Sequence, residues 1–238
     1  MNVIALVSVG IDNEGTPYNR QSLNQISKLI NEMGFEVRVL TDTPEVFARI
    51  GCITYQYDKK IFNYFDKLFF SITLAKHLNQ GILYVDIDNL WYLTDTDEFL
   101  NLQSTDSVLF VEHWPTYVRG YLESWKYLTD LNIEKWTDPL VEYLKIEGKD
   151  PSQLDTMFER LLYFPAGLDW DSVQYQLEKI KPVFDYMSLF ARDLSNRTIY
   201  GHGEGLALSY ALNECGIKKE LIKDQNNNQS NIYKKQLI

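Results

Sequence analysis

Two kinds of hydrophobic pattern alternate along the first part of the chain. Residues 3–9 form a run apolar at every position but Ser8, which predicts a buried strand. Residues 19–33 place Leu23, Ile26, Ile30 and Met33 at helical spacing, and Gly34 closes that helix. Residues 35–40 and 52–57 return to strand-like runs. Residues 59–78 then predict a long helix with Phe62, Phe65, Phe69 and Ile72 on one face, ended by Asn79, Gln80 and Gly81. A short apolar strand, Ile82 to Val85, follows at once. Strand and helix in alternation predict an α/β fold: a mixed, mainly parallel central sheet flanked by helices.

The pattern loosens after residue 90. Residues 107–111 read as a strand ending in Glu112, His113, Trp114 and Pro115. Short helices are expected over 139–145 and 151–158, and a strand over 161–164 that runs into Pro165, Ala166 and Gly167. Residues 170–189 read as a helix that Pro182 must kink or break. A last helix spans 204–215 and stops at Gly216. The Asn/Gln-rich stretch from 224 to 238 lacks the apolar residues that a packed element needs. We therefore expect one catalytic-sized domain over 1–223, with halves at 1–93 and 94–223, and a flexible tail over 224–238.

Composition narrows the function classes. The 238 residues carry a formal charge of −10 and a pI near 4.8, which opposes tight binding to nucleic acid or anionic membrane. Cys52 and Cys215 lack metal-type spacing and read as buried free thiols of a reducing compartment. The amino terminus lacks a basic flank, and no stretch is long and apolar enough to span a bilayer. The expectation is a cytoplasmic protein with no integral membrane segment.

The chemistry concentrates in ILYVDIDNLWY, residues 82–92. Asp86 and Asp88 lie at the carboxyl end of a buried strand, where open α/β sheets bind ligands. Alternation along a strand would point both carboxylates to one side. Oxygen donors of this kind suit Mg²⁺, Mn²⁺ or Ca²⁺, and in Mg²⁺-type sites substrate phosphates commonly complete the shell. The plain alternative is a solvated turn after a strand.

In this setting the chain resembles glycosyltransferases of the GT-A fold. They carry an Asp-x-Asp at a strand end after an amino-terminal nucleotide-binding half, as in ALVSVG, EVRVLTD, YFDKLFFSITLAKHL and ILYVDID here. VLFVEHWPTY and HGEGLALSY further resemble segments of the blood-group-type retaining galactosyl- and N-acetylgalactosaminyltransferases. Trp114 adds one residue between His113 and Pro115, and Gly203 stands in place of the middle acid of a His-Asp-Glu run.

The resemblance implies transfer of a sugar from a nucleoside diphosphate donor, UDP-linked, to a saccharide acceptor. Asp86, Asp88 and His202 would hold Mn²⁺ or Mg²⁺. Val7, Ser8, Val9, Lys67 and Ile87 would line the donor with the two aspartates. His113, Trp114, Ala166 and Glu204 would face the acceptor, and Glu204 would lie beside the reacting sugar. The tail would close over the diphosphate. Plain readings stand beside these: Lys67 as a solvated helix charge, His202 as a structural hydrogen-bonding residue, Glu204 as a helix cap, and the tail as simple disorder. Among the tryptophans, Trp91 and Trp114 are ring-stacking candidates, against the alternative that they fill core. Rival activities on the same carboxylates are a haloacid-dehalogenase-type phosphatase and a nucleotidyltransferase. A third rival is a non-catalytic nucleotide-sugar-binding protein.

Overall fold

The protein is described from a computed structural model over residues 3–10, 15–94, 102, 104, 106–110, 113–114, 133–151, 154, 156–157, 160–189 and 203–222, with 113–114, 133–137 and 156 as backbone only. The amino-terminal alternation folds as a parallel sheet. Strand β1 (Val3–Ser8) pairs with β2 (Glu36–Thr41), which pairs with β3 (Ile53–Gln56); on its other side β1 pairs with β4 (Ile82–Val85).

The sheet continues through β8 (Leu161–Phe164), β5 (Ser107–Phe110) and β9 (Lys218–Leu221). Its order is β3-β2-β1-β4-β8-β5-β9, and β8 alone among these seven runs antiparallel. The mixed, mainly parallel expectation is met. A two-stranded ribbon joins β6 (His113–Trp114) to β7 (Thr156–Met157).

Helices cover both faces. On one side lie α1 (Arg20–Asn31), α2 (Pro44–Ala48) and α4 (Trp91–Thr94). On the other lie α3 (Phe65–Leu78), α5 (Ile133–Ile146), α6 (Trp170–Ser188) and α7 (Glu204–Glu214). Strand alternation divides the two cores: Ala5, Val7, Ile82 and Tyr84 face α3, whereas Ile4, Leu6, Leu83 and Val85 face α1. No helix among the described residues is long and apolar enough to cross a membrane.

Several expectations need correction. The long helix begins at Phe65 rather than at 59, because Asn63 Oδ1 accepts the Phe65 N–H at 3.0 Å and starts the first turn there. Its buried surface is not one aromatic face. Asp66, Lys67, Leu68 and Phe70 are buried as well, while Phe69 is only partly covered. Within residues 151–158, Thr156–Met157 form the short strand β7, and residues 152, 153, 155 and 158 lie outside the described residues. Helix α5 begins earlier than expected and passes through Pro139. Helix α6 likewise runs unbroken through Pro182. That proline lies on the exposed side of the helix, as does Glu178, whose carbonyl it cannot pair. Strand β9, too charged to read as one, was missed. The tail over 224–238 lies outside the described residues.

Candidate functional site

The site grows from the carboxyl end of β4. The Asp86 N–H donates to the Arg160 carbonyl at 3.0 Å, the last backbone link to β8 before the chain turns. Asp86 is still extended (φ −66°, ψ 138°), so Tyr84 and Asp86 share the α3 side of the sheet. Ile87–Asn89 then form a 3₁₀ turn, closed by the Asn89 N–H to the Asp86 carbonyl at 2.8 Å. This corrects the alternation argument: Asp88 sits in the turn, not on the strand. The two carboxylates nonetheless feel each other. The Asp88 carboxyl is pushed up, first by desolvation and then by repulsion from Asp86. Asp88 has solvent access, but neighbouring atoms crowd it enough for desolvation to lead. The Asn89 side-chain amide steadies it with a 2.7 Å hydrogen bond.

Lys67 enters this site from the first turn of α3. Its side chain is 6% exposed, and its ammonium lies 2.5 Å from Glu204 Oε1 and 3.5 Å from Asp86 Oδ1. The solvated-charge reading is thereby overturned. Tyr64 and Tyr84 flank the ammonium, with ring centroids at 5.2 and 5.8 Å. The Tyr84 hydroxyl donates to Asp86 Oδ1.

Burial and the neighbouring carboxylates push the Tyr84 phenol well above its ordinary range. The Tyr64 phenol is pushed up to about 12, mainly by desolvation. The Lys67 charge opposes that rise, and the charges of Glu204, Asp86 and Asp88 add to it. Both phenols keep their protons at neutral pH and can only donate or accept hydrogen bonds.

Glu204 opens α7 behind Gly203, whose φ of 93° turns the chain into the helix. Its carboxylate is 4% exposed and pairs with Lys67. The N-cap position is held by Gly203, and the Glu204 carboxylate is engaged by Lys67. Among the described residues, three carboxylates thus act on one ammonium, Glu204 and Asp86 as ion pairs and Asp88 through its charge. When all three are ionised, the cluster carries an excess of two negative charges.

The remaining expected residues divide. Val7 and Val9 are buried on the α3 side, as packing. Ser8 faces the other core. It is 1% exposed, and its hydroxyl has no hydrogen-bond partner among the described residues. The Gly10 N–H donates to Asp42 Oδ2 at 3.1 Å, tying together the ends of β1 and β2. Ile87 is buried toward α1.

Ala166 is not brought to the site. Because β8 runs antiparallel, with Ile82 opposite Phe164 and Val85 opposite Leu161, Ala166 lies at the opposite end of the sheet from Asp86. Trp170 is buried and donates to the Pro165 carbonyl at 3.0 Å, so it is core. Trp91 stacks on Tyr92 with centroids 3.9 Å apart. His202 and the side chains of His113 and Trp114 lie outside the described residues. The sequence reading did not single out Tyr64 or Tyr84. An aromatic one residue before the α3 start and another two before Asp86 was the only signal.

Among the described residues no three His, Cys, Asp or Glu side chains form a ready-made metal group. A cavity of about 450 Å³ lies elsewhere, between the end of α3 (Lys76, His77, Asn79) and the start of α6 (Asp169, Trp170, Asp171). It is at the Ala166 end of the sheet. Comparison of the sequence with protein-family models and with curated proteins finds no match.

Proposed function

We propose that this chain is a metal-dependent glycosyltransferase that moves a sugar from a nucleoside diphosphate donor, UDP-linked, to a saccharide acceptor. The observation that carries the reading is the convergence of Asp86, Asp88, Lys67 and Glu204 at the carboxyl end of β4. Asp86 and Asp88 are candidates from the strand-end motif, and Lys67 and Glu204 from the resemblance. Their distances and charges support one polar centre that leaves two negative charges for a divalent cation to balance.

The donor set fits such a cation. Asp86 and Asp88 offer hard oxygen atoms, and two carboxylates are what an Mg²⁺- or Mn²⁺-type site uses when phosphates complete its shell. His202 is a further candidate ligand. A bound cation would supply charge neutralisation for the departing diphosphate.

The chain's own groups have distinct tasks in this proposal. Lys67 brings a buried positive charge to the same edge and would meet the donor's phosphate or sugar oxygens. Glu204 places a carboxylate where positive charge develops on the sugar, an electrostatic stabilisation that water would weaken. Burial of both partners keeps water away from that centre. A cytoplasmic location belongs to the same proposal.

The test is a thermal-shift screen of nucleoside diphosphate sugars with and without Mn²⁺. A UDP-sugar should raise the melting temperature in Mn²⁺ and much less in EDTA, since a ligand of the native state stabilises it. No shift with any nucleotide, or equal shifts in EDTA, would contradict the reading. Phosphate release from p-nitrophenyl phosphate would favour a phosphatase instead.

A further inference from the structure

Asp86 receives little help from the other described residues. Its carboxylate is the charged group nearest the strand end, and its side chain is 24% exposed. Lys67 lies 3.5 Å from Oδ1, an ion-pair contact too long for a good N–H···O hydrogen bond. Oδ2 has no partner among the described residues. The one hydrogen bond this carboxylate accepts from them comes from the Tyr84 hydroxyl.

Tyr84 is well placed to impose an orientation. It is 2% exposed, and β4 is held in register on both sides: Tyr84 lies beside Ala5 of β1 and Leu162 of β8. Its ring therefore has little freedom. The extended backbone at Asp86 keeps the carboxylate two residues on, over the same face, within reach of the hydroxyl. A phenylalanine would fill the same space and keep its face toward the Lys67 ammonium. It would leave Asp86 free to swing toward Lys67 or away from Asp88. The hydroxyl is thus dispensable for packing and specific to the carboxylate.

We infer that Tyr84 is a positioning residue of the cation site: its hydroxyl fixes the rotamer of Asp86 and so presents Oδ2 to a divalent cation held with a nucleoside diphosphate. This rests on the function proposed above. Hydrogen-bond partners that orient a ligating group usually matter about 10- to 100-fold for metal affinity when removed. Tyr84 would belong to that class without touching the metal.

The experiment is a Mn²⁺ titration in the presence of UDP, followed by the electron paramagnetic resonance signal of free Mn²⁺, on wild type and Tyr84→Phe. The expected result is binding by wild type and about tenfold or weaker binding by the variant. Equal affinity in the two proteins would overturn the inference alone. Failure of wild type to bind Mn²⁺ would overturn the glycosyltransferase reading, and the inference with it. Should Tyr84→Phe not fold, 3-fluorotyrosine placed at position 84 of the otherwise wild-type chain provides the second measurement. Its ¹⁹F resonance should move on titration with Mg²⁺ and UDP, with the midpoint of cation binding. A resonance that stays fixed while the cation binds would overturn the inference.

Discussion

Helix α3 carries an ion pair at each end, and the two have the same length. Lys67 meets Glu204 at 2.5 Å near its start, and Lys76 meets Asp171 at 2.5 Å near its finish. Their surroundings differ completely. The first pair is 6% and 4% exposed, the second 29% and 84%. Distance therefore says little about what either pair does. At the exposed end water already solvates both charges, and forming the pair gains little. At the buried end neither charge has water to return to, so removing one partner strands the other. A chain seeking stability alone would gain as much from apolar side chains at positions 67 and 204. Keeping charge there, beside Asp86, is what a site for an anionic ligand and its cation requires.

The comparison can be broken at either end. Lys67→Met should have the largest effect: about 3–5 kcal/mol lost, or on the order of 10 °C in melting temperature, since Glu204 and Asp86 lose their shared cation. Adding Glu204→Leu to that variant should restore most of the stability and none of the donor turnover. Recovery of both would reduce the pair to a structural element.

Glu204→Gln comes next. It should lower turnover strongly and cost about 2–3 kcal/mol by chemical denaturation, because the amide keeps one hydrogen bond to Lys67 but loses the charge.

Lys76→Met should change stability by no more than about 0.5 kcal/mol and leave nucleotide binding intact. A large loss there would show that burial does not separate the two ends. Asp88→Asn has the smallest effect on the fold and the opposite sign. The Asp88 carboxyl is raised in the folded state, so its ionised form costs stability at pH values above the ordinary carboxylate range. Removing the charge should leave the melting temperature equal or higher while abolishing Mn²⁺-dependent donor binding. A lower melting temperature would make Asp88 structural.

Local signals made much of this legible. The apolar runs marked β1, β2 and β4, and the Gly34 and Gly216 stops marked helix ends. Asp86, Lys67 and Glu204 were candidates before the structure brought them together. The antiparallel direction of β8 was not legible, because a short apolar run such as LLYF reads the same both ways along the sheet. With that direction, Ala166, which the resemblance places at the acceptor, lies at the far end of the sheet. The 3₁₀ turn at Asp88 was hidden for a related reason: Asp-Ile-Asp keeps strand alternation while the backbone has already turned. The burial of Lys67 depends on α7, 137 residues further along the chain from Lys67 to Glu204, and no local pattern records such a meeting. Helix α6 passing Pro182 shows the same limit, since an exposed proline costs less than the rule for buried helices suggests.

The most direct test of metal-dependent sugar transfer is the rate of UDP formation from a panel of UDP-sugars, with Mn²⁺ present or removed by EDTA, for wild type and Asp88→Asn. The account predicts slow UDP release by wild type with at least one donor, faster when a saccharide acceptor is added, lost in EDTA and reduced at least about 100-fold in the variant. UDP release that persists in EDTA, or an Asp88→Asn variant that turns over donor at the wild-type rate, would contradict it.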